Sequence, residues 1–268
     1  MTEIQRIIKY LAMAFAIFLT VAIISGICGA IASFSFLFGD NKVNGKINNY
    51  SVSEVVEELV IDTSITNLTI KTGDEFRIES NYKYLKVKES GGKLKISEKR
   101  KWLISNSDGV SLKVYIPKGV HFSNAEIHTG AGKVKIEELS AENIDLDLGA
   151  GEAQIGNLTA NQSIKIDGGA GELEIDGGIL NNLDLDMGIG ELNLTGKLLG
   201  NSKLDYGIGE TNLTLLGSKE DYTISLDKGI GEAKFDGDSI KDEAIYGTGA
   251  NQIDIDGGVG ELNVTFQE

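Results

Sequence analysis

Alternating apolar and polar residues dominate the second half of the chain. From Leu183 to Ile189, apolar side chains fall at every second position, which is the periodicity of a β-strand with one face in a core. After Gly190 the apolar positions become Leu192 and Leu194, so the alternation has slipped by one residue. Such a slip turns side chains to the opposite face unless the chain bends, and glycine tolerates the positive φ of a bend. The pattern therefore predicts a strand, a glycine corner and a second strand.

This corner recurs seven times as the motif G-[A/I/V]-G-[E/K], at intervals of 19, 20, 19, 19, 22 and 29 residues. A period of 19 or 20 residues is too short for helical repeats or propeller blades, and it predicts the rungs of a β-solenoid. The bends are predicted at the second glycine of each copy: Gly132, Gly151, Gly171, Gly190, Gly209, Gly231 and Gly260. The residue between the two glycines is always apolar: Ala131, Ala150, Ala170, Ile189, Ile208, Ile230 and Val259. This column is predicted to line a core that widens toward the C-terminus.

The region before the motifs has a different character. Residues 55–120 contain short strand-like runs without the glycine motif, so they predict either a divergent half that caps the same solenoid or a small β-sandwich leading into it. Residues 40–54 are predicted to be a linker, and residues 121–268 form the solenoid repeats. Within them, residues 236–252 are an insertion that explains the longest interval.

An uncharged run covers residues 10–39. A bilayer core needs about 20 apolar residues in a helix, so the run predicts one transmembrane helix. Arg6 and Lys9 precede it, which favours a cytoplasmic N-terminus for residues 1–9 and an extracytoplasmic position for everything after the helix. Ala30–Ala32 resembles a signal-peptidase site, but the apolar run continues past it. The prediction is therefore an uncleaved single-pass anchor in the cell membrane, with a cleaved signal peptide as the alternative.

Composition narrows the possible functions. A single Cys excludes a disulfide framework and a Cys-based zinc site. The formal net charge of −15 opposes binding to nucleic acid, because phosphate repels an acidic surface. With 34 Gly but only one Pro, the chain is suited to regularly placed corners and not to collagen.

Carboxylates accompany the motif at two fixed positions. Two residues before the last six copies stands an aspartate: Asp147, Asp167, Asp186, Asp205, Asp227 and Asp256. At the fourth position of the same copies stands a glutamate: Glu152, Glu172, Glu191, Glu210, Glu232 and Glu261. Because stacked rungs lie about 4.8 Å apart, each set forms a column of like charges that needs compensation. We predict hydrogen bonds from the corner amides; the alternative is weak binding of a divalent cation, such as Ca²⁺ or Mg²⁺, by these oxygen ligands. No other cofactor is predicted.

Charge is also split along the chain. Residues 1–135 hold 18 basic and 13 acidic groups, whereas residues 136–268 hold 7 basic and 27 acidic groups. The densest basic stretch consists of Lys83, Lys86, Lys88, Lys93, Lys95, Lys99, Arg100 and Lys101. It is predicted to be a solvated face or, alternatively, a contact for anionic lipid headgroups or wall polymers.

Residues that could carry catalysis are scarce. The two histidines, His121 and His128, are predicted to be surface residues of strands. A polysaccharide-cleaving site needs two positioned carboxylates, and no pair stands out from the repeated columns.

The run from Val114 to Gly119, then the run from Ile127 to Gly132, then serial GAGE and GIGE turns resemble a known family. This is the bacterial putative-adhesin domain, also called Toastrack, and the resemblance covers roughly residues 55–266. It implies a stacked, β-helix-like domain on an envelope protein, associated with envelope stress systems. It carries over no catalytic residue.

The sequence thus predicts an all-β solenoid, preceded by one transmembrane helix, that acts without catalysis as a binding or scaffold module of the bacterial cell envelope. Its expected partners are the membrane, through the single span, and an envelope protein or wall polymer, with no nucleic acid. Two alternatives stay open: a polysaccharide-active β-helix enzyme and a purely structural spacer.

Overall fold

The computed structural model describes residues 47–53, 55–64, 67–98, 109–241 and 244–268. Their regular structure is β-strand apart from one 3-10 turn, which confirms the predicted all-β class. The helix predicted at residues 10–39 lies outside the described residues. Among the residues that are described, no helix has the length and apolar character needed to cross a bilayer.

Seventeen strands are found in the described ranges, in one compact unit formed by Val43–Arg100 and Gly109–Glu268. The strands before the motifs are β1 (Asn48–Ser51), β2 (Glu58–Thr63), β3 (Asn67–Gly73), β4 (Arg77–Ser80), β5 (Leu85–Ser90), β6 (Lys93–Glu98) and β7 (Ser111–Pro117). The first motif strands are β8 (Phe122–Asp167), β9 (Ala170–Ile175), β10 (Gly178–Asn181), β11 (Leu183–Leu199) and β12 (Asn201–Leu216). After the 3-10 turn (Lys219–Asp221) come β13 (Tyr222–Asp227), β14 (Ile230–Phe235), β15 (Asp238–Ser239), β16 (Ala244–Gly247) and β17 (Asn251–Gln267).

The rungs stack in parallel, with motif on motif. Ile189 of β11 is the partner of Ile208 in β12, and Gly190 is the partner of Gly209. The inward positions form apolar columns in the same register: Leu185, Leu204 and Ile255 occupy neighbouring rungs, and each is at most 1% exposed. Burying a side chain of this size stabilises the fold by about 1.5–3 kcal/mol, and no rung could do this without its neighbours.

The corners lie where the alternation of the sequence slips. At all seven predicted bends the second glycine of the motif has a positive φ, for example +143° at Gly190. A Cβ atom added to Gly190 would also overlap the carbonyl oxygen of Gly171 in the neighbouring rung. Glycine is therefore required at this position for two reasons: the positive backbone angle and the close approach of the neighbouring rung.

The order of the rungs in space differs from their order in the chain. The C-terminal strand β17 lies between β12 and the earlier strands β13 and β14. Ile255, for example, is the partner of Leu204 on one side and of Leu226 on the other. The predicted insertion contains β15 and β16, which pair antiparallel with β14 and β13 on the outer side of the stack. The chain thus turns back before its last rung enters the stack.

At the N-terminal end of the stack, too, the order of the parallel strands in space differs from their order in the chain. Strand β2 lies between β6 and β8, and β3 lies between β7 and β8, all of them parallel. Beyond them, β5 pairs antiparallel with β6, β4 pairs antiparallel with β7, and β1 pairs with β4. The strands before the motifs are therefore continuous with the solenoid, and antiparallel strands close both of its ends.

The motif's middle column does not line the core, so that prediction was wrong. Ala150 and Ala170 are exposed, and the exposed fractions of Ile208, Val259 and Ile230 are 36%, 37% and 50%. The reason is that this residue stands at the apex of the corner, between two glycines, where the chain turns around the core and the apex faces outward. The replacement of Ala by Ile along the column therefore enlarges an outer surface and does not widen the core.

Candidate functional site

The glutamates of the motif form a continuous column along one corner of the solenoid. Glu172, Glu191 and Glu210 are partners in successive rungs, followed by Glu261 and Glu232. The column follows the order of the rungs in space, so Glu261 precedes Glu232. The strict register brings together carboxylates that are 19 to 51 residues apart in the chain.

Asparagines beside this column hold two of its carboxylates. Asn193 donates to Glu191 Oε1 at 2.7 Å, and Asn212 donates to Glu210 Oε1 at 3.0 Å. The same amides also bond to one another, because Asn212 donates to Asn193 at 2.9 Å and Asn263 donates to Asn212 at 3.0 Å. This ladder was not predicted, although three copies of the motif carry an Asn two residues after the Glu, which is a visible signal in the sequence.

Lysines stand at both ends of the glutamate column. Lys133 replaces the glutamate in the first motif, and its Nζ lies 2.5 Å from Glu152 Oε2. At the other end, Lys234 Nζ lies 2.7 Å from Glu261 and 3.4 Å from Glu232. Hydrogen bonding to Lys234 lowers the pKa of Glu261. The central carboxylates Glu172, Glu191 and Glu210, in contrast, take part in no ion pair within the part of the chain that the structure describes.

The aspartate column uses the corner amides. Gly169 N–H donates to Asp167 Oδ1 at 3.3 Å, and Gly229 N–H donates to Asp227 Oδ1 at 3.1 Å. Bonds of this kind were predicted for the whole column, and they hold Asp167 and Asp227 against their own corners. Lys203 adds a cation, with its Nζ 2.7 Å from Asp205.

The structure brings the carboxylates into columns but not into a metal cage. Among the described residues, no group of three or more His, Cys, Asp or Glu side chains converges as a metal site would require. The alternative prediction was that these carboxylates bind a divalent cation. The described residues provide no set of ligands for such a cation. Amides and lysines compensate part of the like charge, mainly at the two ends of the glutamate column and at Asp205.

Asp256 of the aspartate column lies close to two other carboxylates, those of Asp254 and Asp205. Burial, followed by the charges of Asp254 and Asp205, raises its pKa. A carboxyl whose pKa is higher in the folded than in the unfolded protein binds its proton more tightly when folded. Its favourable contribution is therefore present at low pH and is lost as the pH rises through the raised pKa, so that ionised Asp256 destabilises the fold at neutral pH.

Asp256→Asn should accordingly raise the melting temperature at pH 7. The gain should shrink as the pH falls below the pKa of Asp256, because the wild-type carboxyl is then neutral as well. Thermal unfolding across this pH range measures both effects, and Asp238→Asn, in the exposed strand β15, is the control. A gain that is independent of pH would show that charge crowding is not the cause.

An apolar stripe runs between the two acidic columns. It consists of Ile189, Ile208, Val259 and Ile230, which are partners in four successive rungs. We call these four residues the corner ridge. Glycines stand on both sides of each of them in the sequence, so that no neighbouring side chain of the same rung covers the ridge.

The two histidines lie on the surface and contact carboxylates. His121 Nε2 lies 2.9 Å from Glu142 Oε1, and its Nδ1 lies 2.8 Å from Ser140 Oγ. Hydrogen bonds from His121 and Asn161 lower the pKa of Glu142. His128 is farther from its partner, with Nδ1 3.9 Å from Asp147. These contacts join successive rungs along the outside of the stack.

An open groove of about 410 Å³ lies on another face. Its floor includes Asn124, Asn143 and Ser163, which stand in successive rungs. Ser163 donates to Asn143 at 2.8 Å, and Asn143 donates to Asn124 at 3.3 Å. These three side chains thus bond to one another.

The basic stretch occupies the edge of the N-terminal end. Lys86 and Lys88 lie on β5, whose neighbour among the described strands is β6, and Lys93 and Lys95 lie on β6. Lys93 Nζ is 2.9 Å from Glu58. Lysines on an edge strand oppose its pairing with another chain. Lys83 precedes β5 in the chain, and its Nζ lies 4.8 Å from the centre of the Tyr84 ring. The last three members of the stretch, residues 99–101, lie outside the described residues.

The sequence matches the model of one protein family. A family model described as Toastrack DUF4097 matches residues 56–265. The comparison with curated proteins gives no match.

Three solved structures are similar to the chain. A putative cell adhesion protein from Clostridium sporogenes is 17% identical, with 83% of this chain and 99% of that chain covered and a TM-score of 0.35. A putative adhesin from Bacteroides fragilis is 13% identical, with 82% and 96% covered and a TM-score of 0.36. A putative adhesin from Parabacteroides merdae is 13% identical, with 84% and 98% covered and a TM-score of 0.30.

Proposed function

The chain belongs to the Toastrack DUF4097 family, and from this premise we propose that it is a non-catalytic binding or scaffold module of the bacterial cell envelope. The observation that carries the proposal is the corner ridge. A pure spacer needs soluble outer faces, yet this solenoid places β-branched apolar side chains in register on four corners, of which three are exposed and the fourth, Ile189, is half-buried. Exposed apolar stripes with polar borders are typical of interaction surfaces.

The proposal includes a position outside the cytoplasm. The uncharged run at residues 10–39 is long enough to span a bilayer, and the basic residues before it favour a cytoplasmic N-terminus. The solenoid would then face the wall side of the membrane, where an envelope protein or a wall polymer is available as a partner. A role in the response to envelope stress, which the resemblance to the family implies, is part of the same proposal.

One labelling experiment tests both the location and the binding. In a Cys28→Ser background, Ile208→Cys places a single thiol on the corner ridge, and Ile179→Cys places one at an apolar residue that is 42% exposed outside the ridge. A membrane-impermeant maleimide should label both variants on intact cells stripped of their wall. A maleimide that also carries a photoreactive group should then give a covalent adduct from the thiol at position 208 and not from the thiol at position 179.

Labelling only after lysis would contradict the extracytoplasmic location. Labelling of both thiols without any adduct from position 208 would contradict the binding function and favour a structural spacer.

A further inference from the structure

Resting on the proposed binding function, we propose that the corner ridge binds a peptide segment whose apolar side chains are flanked by lysine or arginine. The ridge is a continuous surface because its four residues occupy successive rungs. Rungs lie about 4.8 Å apart, so three steps from Ile189 to Ile230 span about 14 Å. That length fits a short segment of a partner protein.

The fold does not require the apolar bulk of the ridge. In the first three motifs the same corner position is Ala131, Ala150 or Ala170, and these corners stack in the same register as the later ones. Of the larger side chains in the last four rungs, Ile208, Val259 and Ile230 are exposed, up to 50% at Ile230, and Ile189 is half-buried. They contribute little to the core and present an apolar surface to a ligand instead.

The glycines make the ridge accessible. A Cβ on Gly207 or Gly209, on either side of Ile208, would overlap the backbone of the neighbouring rung, so only glycine fits at both positions. Each ridge residue therefore stands between two positions that have no side chain. A ligand can approach the ridge closely along its whole length, including the backbone at its sides.

The charges beside the ridge select the ligand. In the same rungs, Asp186 and Asp205 belong to the column on one side, and Glu191 and Glu210 belong to the column on the other. Lys203 is paired with Asp205, so Asp186 and the two glutamates carry the net negative charge beside the ridge. Asparagine amides bind these two glutamates without neutralising them. An apolar stripe between two anionic columns complements an apolar stripe between cations, and it repels anionic lipid and nucleic acid.

Three synthetic peptides separate the contributions to binding. In the first, Lys and Leu alternate; in the second, Lys and Ser alternate; in the third, Glu and Leu alternate. Fluorescence anisotropy with the full chain in neutral-lipid nanodiscs, corrected for binding to empty nanodiscs, should give at least tenfold tighter binding for the Lys/Leu peptide than for the other two. Binding should weaken as salt is added, because exposed charges are screened.

Variants locate the site. Ile189→Ala, Ile208→Ala and Val259→Ala together give these corners the residue that the first three rungs already carry, so that the fold is kept while the ridge is lost. This triple variant should weaken the binding of the Lys/Leu peptide at least tenfold, and Ile179→Ala should not change it. Glu191→Gln with Glu210→Gln should also weaken binding and reduce its dependence on salt.

Four results would overturn the proposal. Equal binding of the Lys/Ser peptide would mean that charge alone attracts the ligand, and equal binding of the Glu/Leu peptide would mean that apolar contact alone does so. Unchanged binding by the triple variant would place the site elsewhere. If the thiol at position 208 gives an adduct in cells but the Lys/Leu peptide does not bind, the binding function stands and the chemistry assigned to the partner is wrong. If both experiments fail, both proposals fail.

Discussion

Gly190→Ala is expected to lower the free energy of unfolding by about 2–5 kcal/mol, although it adds a single methyl group. Gly190 has a φ of +143°, a region that residues with a Cβ rarely adopt, and forcing such a backbone costs roughly 1–2 kcal/mol. The new Cβ would also overlap the carbonyl oxygen of Gly171 in the next rung. Relieving an overlap of this kind in a packed structure costs about 1–3 kcal/mol more.

Gly237→Ala is the matched control. Gly237 has a φ of +86°, and a Cβ there would meet no heavy atom within 4 Å. This variant should therefore show the cost of the backbone angle alone, about 1–2 kcal/mol. Denaturant unfolding of the two variants beside the wild type measures the difference. Equal losses would mean that the rungs do not need their close approach at the corner.

The rungs could be predicted from the sequence because their determinants are local. Alternation fixes the face of each strand, and the slip in alternation at Gly190 marks the bend within two residues. The period then follows from counting motifs, and the parallel register follows from stacking identical motifs.

The spatial order of the rungs could not be predicted, because it is set by non-local pairing. β14 and β17 carry equivalent motifs, so the pattern alone allows either of them to be the partner of β12. The direction of Ile208 was missed for a related reason: two glycines interrupt the alternation, and the parity rule gives no side for the residue between them. The asparagine ladder also depends on the spatial order of the rungs, since Asn212 and Asn263 meet only when β17 lies next to β12.

Deleting residues 251–268 is expected to unfold the C-terminal rungs, because β17 lies inside the stack and not at its end. The deletion removes four side chains that are at most 1% exposed: Ile253, Ile255, Leu262 and Val264. Truncating one such side chain to Ala typically costs 2–5 kcal/mol, whereas a whole domain is stable by about 5–15 kcal/mol. β13 and β14 would lose their parallel partner and keep only the short antiparallel strands β16 and β15.

Hydrogen exchange measures this loss strand by strand. In the deleted protein the amides of β13 and β14 should exchange fast, while those of β2, β3 and β8 should stay protected, since each rung depends chiefly on its neighbours. Deletion of Glu268 alone, which lies outside β17, should leave all of them protected. The opposing possibility is that β14 stacks directly on β12 in the deleted protein, because the motif of β14 can pair with the motif of β12 in the same register. Retained protection of β13 and β14 would establish this direct stacking and would mean that the inserted position of β17 is not needed for their stability.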